Sequence, residues 1–166
     1  MRLGRRALVA AGAAVATAAL LRASGAFRFE VRGASMRPTL EPGDWLLAIR
    51  SGRPRRGDIV VVRHPGGGPE VVKRVVGLPG ERVSTDGRTV WVDGRPATEP
   101  YARGAGPPGE WRLGPAEVVV LGDARGLSTD SRSFGPVPLS AVEGRAVLRY
   151  WPRPGLLWGG AALTGP

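Results

Sequence analysis

The residues able to do chemistry are few. Of the 24 lysines and arginines, only Lys73, in the stretch EVVKRVVGLPGE, is a lysine; the chain has no cysteine and one histidine, His64. A covalent mechanism would therefore need Ser, Thr, a carboxylate or Lys73 as its nucleophile. His64 sits in the turn-forming RHPGGGP, which leaves its ring in solvent and speaks against a Ser/His/Asp triad. The turns TDG and VDG resemble each other only as hairpin turns, so a pair of catalytic aspartates is a poor fit, and no carboxylate or histidine run has metal-ligand spacing.

Lys73 is the base that remains. On a strand, side chains two apart share a face, so Lys73 points with Val71 and Val75 while Arg74 points with Val72 and Val76. One of these two cations should then face a core or a cleft. Arginine keeps its proton, but an ammonium moved into apolar surroundings loses its proton more readily. A fall in pKa to about 8 would leave about 10% of the amine neutral at pH 7. The competing arrangement is a lysine that snorkels to solvent from an edge strand. Ser35, in RGASMRPTLEPGD, stands where an alternating strand stops and a Pro turn begins, a place where a hydroxyl can lie beside free backbone N–H groups or serve the turn alone.

The elements that must hold these residues are short strands. The 26 glycines and 16 prolines are spread between Val-rich runs, as in a chain of many turns. FRFEV alternates apolar and charged residues; WLLAI, IVVVR, EVVKRVV, TVWV, EVVVL and AVEGRAVLRYW continue the series, with IVVVR and EVVKRVV reading as a hairpin. No helical stripe follows residue 26. The expected fold is mostly β, an antiparallel, barrel-like sheet over residues 27–154. Without cysteine its stability rests on the core alone. The RGD at residues 56–58 is a turn entering a strand.

Residues 7–21 carry no charge, yet 15 residues reach only about 22 Å as a helix, short of a bilayer core of about 30 Å. A cleaved signal peptide and a signal anchor both fit; the anchor requires Arg5, Arg6 and Arg22 to snorkel. An amphipathic surface helix fits poorly, because the segment has no polar face. The net charge of +10 comes from scattered arginines without interleaved aromatics, which argues against nucleic acid and agrees with a place beside an anionic membrane. The C-terminal GLLWGGAALTGP is apolar but too short to span.

Four ordered boxes after the apolar segment, SMRPTLEPGD, RGDIVVVRHP, VKRVVGLPGERV and GDARGLSTDSRSFGPV, resemble type I signal peptidase, a membrane-anchored Ser/Lys endopeptidase. The resemblance implies that Ser35 is the nucleophile and Lys73 the general base. It implies that Ser128 hydrogen-bonds the amine and that Asp130 and Arg132 pair to hold that loop. It places Val31, Met36 and Val72 in shallow pockets for small residues at positions −1 and −3 of a signal peptide. It also implies an anchor over residues 1–26, a small flap over 82–117, an apolar tail over 155–166, no cofactor or metal, and a catalytic domain outside the plasma membrane in contact with lipid. Two positions depart from the pattern. Gly33 stands where some members carry an oxyanion-binding hydroxyl, and Ala124 where many carry Asn. The competing functions are a Ser/Lys processing protease with one dedicated substrate, a self-cleaving repressor, and an exported β-domain that binds polyanions or cell-wall polymer. The repressor is disfavoured because an apolar segment replaces a DNA-binding domain.

Overall fold

The computed structural model describes residues 25–50, 53–157 and 162–163. The expected anchor falls on residues that lie outside this set, apart from its last two: Gly25 is in a turn and Ala26 opens the first strand. Among the described residues no helix is long and apolar enough to cross a membrane.

Two antiparallel sheets make up the fold, as the alternating runs imply. The larger joins β1 (Ala26–Glu30), β2 (Trp45–Ile49), β3 (Ile59–Val62), β4 (Val71–Gly77), β9 (Glu117–Leu121), β10 (Val137–Pro138) and the long β11 (Val142–Trp151) in the order β1-β2-β11-β3-β4-β9-β10, with β12 (Gly155–Leu156) on β11. The smaller contains β5 (Arg82–Thr85), β6 (Val90–Val92), β7 (Arg95–Thr98), β8 (Gly109–Arg112) and β13 (Ala162–Leu163) in the order β13-β7-β6-β5-β8. The only α-helix among the described residues is one turn, α1 (Ser131–Phe134).

β3 and β4 pair as the sequence suggests, with Val60 opposite Lys73 and Ile59 opposite Arg74. β4 lies between β3 and β9, and all but its first residue are buried, which explains its run of valines. One face packs Val72 with Val31, Met36, Leu40, Leu46, Ile59 and Ala146. Val75 packs with Val60, Val62, Val118, Val120 and Val137 on another layer. At its end β4 shifts register against β9 and reaches the second sheet, where Val76 joins Val83, Val90, Val92, Leu113, Val119 and Leu121. Gly77 sits at that junction because a Cβ there would lie 2.6 Å from Val83 and 3.0 Å from Leu113.

One expectation fails here. Strand periodicity would bury one of the two adjacent cations, but both are buried, Lys73 at 3% and Arg74 at 2% relative exposure. Residues of both faces of β4 are packed, Val72 in one layer and Val75 in another, so each cation has to be satisfied inside the protein.

Candidate active site

β4 carries Lys73 to the floor of an open cleft of about 880 Å³, lined among others by Phe29, Ser35, Trp45, Val72, Lys73 and Leu127. Ser35 lies in the turn that follows β1, half-buried at the same floor. The two meet: Lys73 Nζ donates to Ser35 Oγ at 2.8 Å and to its neighbour's carbonyl, Val72 O, at 3.0 Å. Among the described residues no salt bridge neutralises the amine. Burial pulls its pKa from 10.5 down to about 8, and the carboxylates of Asp130 and Asp123 oppose that fall without cancelling it.

The chain around Ser35 is held from below. Ser35 O accepts from Ala124 N–H at 3.0 Å, so the loop after β9 fixes the Ser35 backbone. Gly122 allows this approach: a Cβ there would lie 2.2 Å from Ser128 Oγ and 2.6 Å from Ser35 O. Ser128 therefore stands in the same cluster, its hydroxyl buried and close enough to the Asp130 carboxylate to favour its charged form.

Asp130 and Arg132 form a two-pronged pair, with Arg132 Nε to Oδ1 at 2.8 Å and Nη2 to Oδ2 at 2.7 Å. Asp130 is the N-cap of α1 and accepts from Arg132 N–H at 3.2 Å, so a helix start brings the two together. Burial resists ionisation of Asp130, but the bonds from Arg132 and from Gly122 N–H outweigh it and hold the carboxyl below its ordinary pKa.

The pocket residues divide. Val72 lines the cleft together with Lys73, while Val31 and Met36 are fully buried in the layer beneath it. His64 is half-buried rather than free in solvent. Its Nδ1 accepts from Gly66 N–H at 3.1 Å and its ring meets Phe134 edge-on at 5.3 Å, so it lies on the cleft wall as a packed side chain.

The sequence left Arg74 and its partners unassigned. Arg74 grips Asp123 with Nε at 2.8 Å and Nη2 at 2.7 Å, donates to Gly57 O at 2.8 Å, and lies under the Tyr101 ring at 3.8 Å. Asp123 also accepts from Thr39 Oγ1 at 2.5 Å. The available signal was Asp123 itself, an acid beside a glycine inside the GDARGLSTDSR box, which needed a cation.

A serine hydroxyl and a buried amine, side by side on the floor of a long open cleft in an antiparallel sheet, make the framework of a β-sheet serine peptidase. A family model described as signal peptidase, peptidase S26, matches residues 4–151. The chain is 39% identical over 135 residues to a signal peptidase I of Leptolyngbya laminosa, a match covering 71% of this chain and 65% of that protein, under two thirds of its length. It is 36% identical over 159 residues to a signal peptidase I of Bacillus caldolyticus, covering 84% of this chain and 87% of the relative. A crystal structure of a signal peptidase I from Enterococcus faecalis superposes with a TM-score of 0.50 at 30% identity, over 56% of this chain and 96% of the other. The chain belongs to the signal peptidase, peptidase S26 family, and is by that membership a serine endopeptidase.

Proposed function

We propose that this protein is a membrane-anchored endopeptidase that removes signal peptides from exported preproteins, with Ser35 as nucleophile and Lys73 as general base. The observation that carries the reading is the 2.8 Å hydrogen bond between Lys73 Nζ and Ser35 Oγ, made by an amine that burial has brought to a pKa of about 8. In its neutral form the amine accepts the Ser35 proton as Oγ attacks the scissile carbonyl. The ammonium then gives that proton to the leaving amine, and the cycle repeats with water to release the acyl group from Ser35. Among the described residues no acceptor takes the Ser35 N–H, which leaves it free to donate to the oxyanion. Ser128, buried beside Gly122 and Ser35, is suited to orient the amine, because a hydroxyl can donate and accept at once. Asp130 and Arg132 hold its loop.

An extended peptide suits the cleft, since a strand laid along its floor can pair by backbone hydrogen bonds. Val72 and Phe29 would meet the small residues at −1 and −3, with Val31 and Met36 as the floor beneath. The apolar residues 7–21 between basic flanks support an anchor over 1–26. The flanking arginines are balanced, so the family resemblance is what supports a peptidase domain, residues 27–154 with a flap over 82–117, on the extracytoplasmic side of the plasma membrane, with the apolar tail, 155–166, close to lipid.

The test is direct. The full chain in detergent is given a peptide with an Ala-x-Ala cleavage site, beside Ser35→Ala and Lys73→Arg variants. Wild type cleaves after the second Ala and both variants are inactive. Cleavage by either variant at the wild-type rate overturns the assignment.

A further inference from the structure

The connection from β7 to β8, residues 99–108, crosses β6 and β5 to reach the far edge of the smaller sheet. Its tip is exposed: Arg103, Gly104 and Ala105 have no core of their own. Its inward groups meet three places: the loop that runs from Asp123 to Arg132, Arg74 on β4 and the β5–β6 turn.

Glu99 Oε1 accepts from Arg125 Nη2 at 2.7 Å, an ion pair in which both side chains are buried. Tyr101 donates to Glu99 Oε1 at 3.2 Å and lays its ring over the Arg74 guanidinium at 3.8 Å. Burial and the Glu99 carboxylate raise the Tyr101 pKa, so its phenol stays protonated. Arg103 N–H donates to Asp123 O and Arg103 O accepts from Arg125 N–H, both at 2.8 Å, which forms a parallel bridge to Ala124. Ala124 is the residue whose N–H holds Ser35 O. Further along, Gly106 packs so closely that a Cβ would lie 1.7 Å from Arg132 Nη1 and 2.7 Å from Arg125 O. Its N–H bonds Gly87 O at 3.0 Å, tying the segment's far end to the β5–β6 turn, where Gly87 adopts φ +97° and has no room for a side chain.

We infer that residues 99–106 are a strap by which the second sheet holds the Ser35–Lys73 pair in register, with Tyr101 and Gly106 as its positioning residues. The inference rests on the Ser35/Lys73 mechanism proposed above. The strap acts through its neighbours. Asp123 and Asp130 are the carboxylates whose fields reach Lys73, and Arg74 and Arg132 are the cations paired with them. Tyr101 covers the first cation, Gly106 abuts the second, and Glu99 fixes Arg125 between them. A loosened strap admits water to the Lys73 floor, which relieves the burial that lowers the amine's pKa and pushes it back toward its ordinary value; the same water screens the two carboxylates, an opposite effect that is smaller because burial is the larger cause.

Because the chain has one lysine, carbon-13 labelling of lysine gives a single side-chain signal whose titration reports Lys73 whether or not the enzyme turns over. In the full chain in detergent, Tyr101→Ala raises the Lys73 pKa by about one unit, so kcat at neutral pH falls about tenfold while KM stays within about twofold. Tyr101→Phe, which keeps the ring over Arg74, restores both values. Gly106→Ala, a second route to the same loosening, moves the lysine in the same direction. A wild-type titration in both Tyr101→Ala and Gly106→Ala overturns the strap. If the lysine signal moves but the kcat profile does not follow, the strap stands and Lys73 is not the base.

Discussion

Lys73 and Arg74 are consecutive on β4, equally buried and identical in charge at neutral pH, yet the protein surrounds them in opposite ways. Arg74 receives a carboxylate in a two-pronged grip, a backbone carbonyl and an aromatic lid. Lys73 receives a hydroxyl and a carbonyl, with its two carboxylates acting only at a distance. The first environment fixes a charge and the second makes one costly. Burial alone therefore does not make a base: the side chain has to be able to lose its proton, and its charge has to lack a contact partner.

The largest effect that would break this contrast is on turnover. Lys73→Arg keeps the charge and removes the usable proton, so kcat/KM in the peptide assay falls by at least about 10³-fold. An active Arg variant would make the two cations chemically equivalent.

On the other face the effect is on stability. Arg74→Ala leaves Asp123 buried without its cation, and urea unfolding should show a loss of about 3–5 kcal/mol. Arg74→Met with Asp123→Leu removes both charges and recovers part of that loss. If Arg74→Ala costs less than about 1 kcal/mol, the pair does not stabilise the fold as its burial implies.

The third prediction concerns pH. Lys73 has a folded-state pKa of about 8 against 10.5 when unfolded, so the unfolded chain binds the extra proton between those values and stability rises with pH across that window. Below pH 8 the full cost of the buried ammonium is present. The rise amounts to about 3 kcal/mol and is absent in Lys73→Met. A parallel pH dependence in the two proteins would contradict it. The smallest effect belongs to the exposed pair of Arg82 and Glu110, whose side chains are 62% and 60% accessible. Arg82→Ala should change stability by less than about 1 kcal/mol, against the several expected for Arg74→Ala.

The sequence made some of this legible and hid the rest for physical reasons. Apolar runs and turn residues place β1, β2, β3, β4, β6, β9 and β11 to within a residue or so: β3, β4 and β9 are buried along nearly their whole length, and β2 and β6 alternate buried with half-buried positions. The other strands of the second sheet were harder to see. β7, RPAT, is mostly exposed, and β8, GEWR, alternates weakly, so no apolar signal marks them. Ser35 and Lys73 lie together as the family resemblance implied, and the alternation holds, with Val71 and Val75 in one layer and Val72 and Val76 in others; what it could not tell was that both cations are buried. The closeness of Asp130 to Arg132 was legible, but its cause was not, since a one-turn helix leaves no periodic trace. The strap was illegible for another reason: Glu99, Tyr101 and Gly106 act on residues far away in the chain, and such contacts exist only once both sheets have formed.

The most direct measurement on the contrast between the two cations is the carbon-13 titration of the single lysine in the wild-type chain, at equilibrium and without substrate. A midpoint near pH 8 is expected, with the pH profile of kcat/KM bending at the same value. A midpoint near the ordinary value of 10.5 would mean that Lys73 holds its proton as firmly as a free amine, and it would contradict the assignment of Lys73 as the base.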